Sequence, residues 1–163
     1  MTESAADGQR PADAPPSTAA ARAAPDARPR GFALRTATIV VAVIGTAIAA
    51  YLTYVHYAGI EPICAVSGGC EKVQSSEYAE LAGIPVALLG LIGYLGILAA
   101  AVAPGDAARL VASSLALGGF AFSLYLTYLE LFEIDAICQW CVASAVAMTV
   151  LALLTALRLV RGV

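Results

Sequence analysis

Charge is scarce in this chain. Only 13% of its 163 residues are Asp, Glu, Lys or Arg, against 60% hydrophobic, and the mean hydropathy is +0.81. A soluble domain is about a quarter charged, so roughly half the usual complement is missing. The deficit is also uneven: residues 36–60, 81–105, 110–129 and 136–157 contain no charged side chain at all. Equally absent are a Gly-rich phosphate loop, a patch of interleaved basic and aromatic residues, a repeat of useful length, and any haem, flavin or metal signature. Together these absences exclude a soluble enzyme, a nucleic-acid binder and a secreted disulfide scaffold. A small polytopic membrane protein remains.

What is present is a set of four apolar stretches, approximately Thr36–Tyr57, Ile84–Ala103, Leu110–Leu129 and Cys138–Leu157. At 1.5 Å per residue each covers roughly 30 Å, one hydrocarbon thickness. The expected fold is an all-α membrane protein, a four-helix transmembrane bundle over residues 34–163. Pro85 falls in the first turn of the second span, where its missing N–H costs least, and Pro104-Gly105 ends that span in a tight turn. Gly90, Gly93, Gly96, Gly118 and Gly119 offer small contact faces for close helix packing. Residues 1–33 read as a disordered tail: half of the first 30 are Ala or Pro, with no apolar periodicity. A signal peptide does not fit, because its basic leader would be too long and its apolar segment exceeds a normal signal core.

The sign of the charges sets an orientation. Arg10, Arg22, Arg28, Arg30, Arg35, Arg109, Arg158 and Arg161 lie in the tail, the 104–109 turn and the C-terminus, which four spans place on one side. The positive-inside rule makes that side the cytoplasm. The other connections hold seven acids against the single Lys72. A cell-membrane protein with both termini cytoplasmic follows, and all four cysteines then sit on the outer, oxidising side.

Those cysteines form two unlike pairs. Cys64 and Cys70 flank a loop containing Ser67, Gly68 and Gly69, whereas Cys138-Gln139-Trp140-Cys141 opens the fourth span. Positions i and i+3 share a helix face, and the free N–H groups and positive dipole end of a helix start favour thiolate. Glu130, Glu133 and Asp135 oppose this weakly, as water-exposed, screened loop charges. Four cysteines allow three connectivities. A relay visits more than one of them: the loop dithiol takes electrons from an external protein, passes them to the CxxC pair by thiol–disulfide exchange, and the CxxC passes them on. Two inert structural staples are the competing reading, with the chain then a non-catalytic membrane subunit or assembly factor. A tetrathiolate zinc site is disfavoured because five residues separate Cys64 from Cys70, wider than usual zinc spacing. A relay needs an acceptor, and a lipid-soluble quinone, menaquinone or ubiquinone, suits a site at the membrane edge. Tyr51, Tyr54, Tyr57, Tyr125, Tyr128 and Trp140 cluster towards that edge. Interfacial anchoring explains most of them, and Trp140, within the CxxC, is the one best placed to line a quinone pocket. His56, the only histidine, needs no role beyond that of an interfacial polar residue.

Three segments carry a family resemblance: Gly69-Cys70-Glu71-Lys72-Val73-Gln74-Ser75-Ser76-Glu77-Tyr78-Ala79, Gly83-Ile84-Pro85-Val86-Ala87-Leu88-Leu89-Gly90 and the Cys138–Cys141 motif. In order, spacing and topology the chain resembles bacterial vitamin K epoxide reductase homologues over roughly residues 36–160. The disulfide-generating DsbB-like proteins differ in carrying their CxxC in the first outer loop. The resemblance implies a four-helix bundle around a quinone, capped by a short helix in the first outer loop. Ser76–Leu81 fits that helix, with Ser75 or Ser76 as its cap and Gly83 at its end. It further implies that Cys141 faces the quinone, that Cys138 exchanges with Cys70, that Cys64 meets the substrate protein, and that Ser76 lies near the active site. Ala145 stands where the animal enzymes carry a tyrosine, and no counterpart of their pocket asparagine is found. The chain stops at Val163 without a thioredoxin domain, so the implied partner is a DsbA-like thioredoxin-fold protein acting in trans. The resulting expectation is a quinone-dependent thiol–disulfide oxidoreductase that reoxidises such a partner, with no metal.

Overall fold

Apolar sequence of helical length becomes helix throughout. The computed structural model describes residues 27–64 and 69–162, so residues 1–26 of the tail expected over 1–33, and the centre of the first cysteine loop, 65–68, lie outside the described residues. The elements are α1 (Ala27–Ala58), the short α2 (Cys70–Gln74), a 3-10 turn (Glu77–Ala79), β1 (Glu80–Leu81), β2 (Ile84–Pro85), α3 (Val86–Val102), α4 (Asp106–Phe132) and α5 (Gln139–Arg161). Within α1, α4 and α5, the stretches Gly31–Ala58, Asp106–Phe132 and Gln139–Arg161 are long and apolar enough to cross a membrane; α3 is apolar but shorter, at 17 residues. The fold is that of an all-α membrane protein.

Each of α1 and α4 packs against both α3 and α5, which closes the four helices into a ring in the order α1–α3–α4–α5. Small side chains dominate the centre, where Ala42, Ala49, Ala116, Ala147 and Ala152 surround Tyr94, Ile97 and Leu151. In lipid, close backbone approach replaces the hydrophobic drive available in water, and small residues permit it. Gly45 is the tightest case: any Cβ there would overlap the Tyr94 ring. Resting on Gly45, the Tyr94 hydroxyl donates to the Ser144 carbonyl at 2.7 Å and lies 2.9 Å from Ser144 Oγ. One side chain thereby ties α3 to α5 across α1.

Helix ends depart from the expected spans. Helix α1 starts at Ala27 rather than Thr36, α4 runs from Asp106 to Phe132 rather than 110–129, and α5 continues to Arg161 rather than Leu157. Charge-free windows mark the hydrocarbon, but backbone hydrogen bonding propagates beyond it through residues that favour helix. Asp106 in the first turn of α4, and Arg158 with Arg161 in the last turn of α5, suit the helix dipoles. The boundary expected at residue 33 is thus internal to a helix. Pro85 sits one residue before α3, as its N-cap, and not in its first turn. Pro104-Gly105 does separate α3 from α4, with Gly105 at φ 102°, a region open to glycine.

The capping segment differs more. The expected helix at Ser76–Leu81 is instead α2, six residues earlier, followed by the 3-10 turn and a two-stranded hairpin. The serines explain the shift. Ser75 Oγ donates to the Glu71 carbonyl at 2.8 Å and Ser76 Oγ to the Val73 carbonyl at 2.7 Å. Both side chains therefore bond back onto α2, while Ser76, as the N-cap of the 3-10 turn inside the expected range, opens that turn through its carbonyl, which accepts the Ala79 N–H at 3.0 Å. Ala82 and Gly83, at φ 54° and 79°, form the two-residue turn that pairs Glu80 with Pro85 and Leu81 with Ile84. Positive φ at both central residues is the turn geometry that suits the twist of a hairpin. His56 Nε2, near the end of α1, lies 3.2 Å from Glu80 Oε1 and fastens this hairpin to the bundle.

Candidate redox site

All four cysteines meet at one end of the ring. Cys64 and Cys70 are joined by a disulfide with Cα atoms 6.2 Å apart, while Cys138 and Cys141 are free thiols. Cys70 and Cys138 are fully buried in a small cluster with Val73 and Ile134, against which Cys64, Trp140 and Cys141 also pack. A staple remote from the CxxC would not share its core.

Local backbone chemistry makes that meeting possible. Gly69 lies so close to the chain before α5 that a Cβ would stand 2.8 Å from the Ile137 carbonyl oxygen and 3.0 Å from its nitrogen. Only glycine permits two backbones to touch in this way, and the touch sets Cys70 beside Cys138. Cys138 is the N-cap of α5, and its carbonyl accepts the Val142 N–H at 3.0 Å. Cys141 follows in the first turn, on the same face.

A residue overlooked in the sequence completes this geometry. Glu130 reads there as a screened loop charge, yet α4 continues past it and leaves it only 6% exposed. Its Oε2 accepts the Cys138 N–H at 3.3 Å, and its carbonyl accepts the Ala136 N–H at 3.2 Å. Glu130 therefore folds the α4–α5 connection back upon itself and holds the first CxxC cysteine. The signal available in the sequence is helical register: Glu130 lies four residues after Leu126, inside the last turn of the helix.

Trp140 also differs from its expected role. It does not line the cavity described below; its ring packs against Tyr51 with centroids 5.0 Å apart, and its Nε1 donates to the Ile63 carbonyl at 2.8 Å. The Tyr51 hydroxyl accepts the Ile63 N–H at 2.9 Å, and Gln139 Nε2 donates to the same carbonyl at 3.4 Å. The residue before Cys64 is thus gripped from both sides. Tyr54, Tyr57, Tyr125 and Tyr128 are exposed on the helix surfaces, as anchors in a lipid interface would be.

Beneath the cysteines a cavity of about 190 Å³ opens between the helices. Leu52, Val86, Leu115, Phe122, Leu126 and Met148 form apolar walls, and the polar rim holds Gln74, Ser76, Tyr78, Glu130 and Ser144, with Cys141 among them. Ser76 and Cys141 both line this cavity. Gln74 Nε2 lies 3.9 Å from Cys141 Sγ. The Glu77 carboxylate beside Tyr78 pushes its phenol above the usual range. Gly90, Gly93, Gly119 and Ala145 widen the chamber. An apolar slot with a few donors in its lining fits a planar quinone headgroup, whose carbonyls accept hydrogen bonds. Among the described residues, no three His, Cys, Asp or Glu side chains converge as metal ligands.

A disulfide, a free CxxC pair packed against it and an adjoining apolar chamber inside a helical membrane bundle define a membrane-embedded thiol redox protein. More specifically, the sequence matches the model of the Vitamin K epoxide reductase family over residues 36–156, and the chain belongs to that family. Membership makes it a quinone-linked thiol oxidoreductase.

Proposed function

We propose that this protein draws electrons from a DsbA-like thioredoxin-fold partner, through Cys64–Cys70 and then Cys138–Cys141, to a quinone held in the cavity, and so sustains extracytoplasmic disulfide formation. The observation that carries the reading is the packing of both cysteine pairs into one cluster at the cavity mouth. In this reading α3 is the fourth span. At roughly 26 Å it falls slightly short of the hydrocarbon thickness, a mismatch met by local thinning of the bilayer. Four spans put both termini on the arginine-rich side, taken as the cytoplasm of the cell membrane.

Electrons and atoms balance at each step of the relay. The partner's dithiol reduces the Cys64–Cys70 disulfide and leaves as a disulfide. Cys70 thiolate attacks Cys138 Sγ of the oxidised CxxC, forming a Cys70–Cys138 bond and releasing Cys141 as thiolate. Cys64 then attacks Cys70, restoring the loop disulfide and freeing Cys138. That state, loop oxidised and CxxC reduced, has the connectivity seen in the structure. A bound quinone supplies a two-electron, two-proton sink. Cys141 presents its sulfur to the cavity and Cys138 closes the disulfide upon it as the electron pair leaves, while Gln74, Ser76 and Tyr78 are positioned to orient the headgroup.

Substitution separates the roles. Cys141→Ala is expected to abolish quinone reduction with any donor. Cys64→Ala is expected to block turnover with a protein dithiol while a small dithiol such as dithiothreitol still drives quinone reduction. Full quinone reduction by Cys141→Ala, followed by quinol absorbance, would refute the assignment.

A further inference from the structure

The end of the bundle opposite the cysteines carries an unbalanced charge. Arg158, near the end of α5, is 6% exposed, and its Nε is buried with no hydrogen-bond partner. Arg35 and Arg109 lie close enough to act on it electrostatically, and both bear the same sign. Arg35 is already engaged: its Nε donates to the Ala101 carbonyl at 3.1 Å and its Nη2 to the Val102 carbonyl at 2.6 Å, capping α3. Arg109 pairs with Asp106 at 2.8 Å, an i,i+3 contact whose carboxylate faces solvent. Among the described residues no carboxylate pairs with Arg158.

A buried guanidinium whose Nε has no acceptor, repelled by two like charges, is costly unless an anion completes the group. The anion must reach the end of α5, which α1 and α4 flank in the ring, at the depth where helices emerge from hydrocarbon. Guanidinium groups recognise phosphate oxygens through paired N–H donors, and basic pockets between membrane helices hold anionic headgroups. We infer that Arg35, Arg109 and Arg158 form a phosphate-binding site at this end of the bundle, filled by the headgroup of an anionic phospholipid. The site stands apart from the redox cavity and does not depend on the relay.

The test uses the full chain purified in neutral detergent, with the thermal unfolding midpoint followed by Trp140 fluorescence. Phosphatidylglycerol, phosphatidylcholine and inorganic phosphate are added in separate arms. Phosphatidylglycerol is expected to raise the midpoint, increasingly with its mole fraction, beyond phosphatidylcholine at equal content. Arg158→Gln and Arg109→Gln should each remove that increment. In phosphatidylcholine alone Arg158→Gln should unfold no lower than the wild type, because an uncompensated charge has gone. An equal rise with inorganic phosphate supports the site and assigns its occupant to solvent. Equal midpoints in all three arms, or a full phosphatidylglycerol increment in both variants, would overturn the inference.

Discussion

Glu130 bears on both stability and chemistry because its carboxylate accepts the N–H of Cys138 where water is excluded. Glu130→Ala leaves that donor unsatisfied, at a cost of about 1–3 kcal/mol, whereas Glu130→Gln retains an acceptor of similar reach. Unfolding by dodecyl sulfate titration is expected to rank the wild type first, Gln close behind and Ala lowest. An Ala variant as stable as the wild type would remove Glu130 from this role. The grip of Trp140 on Ile63 was not legible in the chain, and Glu130 was legible only as a position in helical register, not as a buried acceptor. Sequence places an acid near the CxxC, but which way it faces depends on how far α4 continues beyond its apolar window. Likewise, an indole inside the motif is equally compatible with a cofactor contact and with the loop clamp it forms.

At the level of elements, Gly93 on α3 has a purpose that periodicity could not reveal. Small residues on a membrane helix suggest contact faces, and Gly119 does meet Met148, where an added Cβ would stand only 2.8 Å from the sulfur. Gly93 lines the cavity too, but a Cβ there would meet nothing within 4 Å. Gly93→Leu therefore has room, replaces a poor helix former, and fills the chamber. The variant is expected to fold at least as well as the wild type, gaining roughly 0.5–1 kcal/mol of helix propensity, while its KM for quinone rises several-fold. A thermal scan beside quinone titration checks both halves; unchanged KM would show that the cavity is not the quinone site. The four apolar helices, by contrast, were visible because a bilayer demands long uncharged runs. The capping segment was misplaced because Ser75 and Ser76 can bond forwards or backwards, and only packing decides.

For the whole molecule, the charge pattern and the fold agree on two unlike ends, one bearing Arg35, Arg109 and Arg158, the other every cysteine. The orientation proposed from the arginines makes a direct statement about cells. After mild reduction, a membrane-impermeant maleimide added to intact spheroplasts is expected to label cysteines in the wild type, and labelling only after lysis would reverse the topology. The central claim is that both pairs feed one quinone site. It is tested most directly by counting quinols formed per chain when the fully reduced protein meets excess quinone without oxygen. Four thiols hold two electron pairs, so the wild type should yield about two quinols, the Cys64→Ala/Cys70→Ala double variant about one, and Cys141→Ala none. A single quinol from the wild type, or an undiminished yield from Cys141→Ala, would contradict the relay.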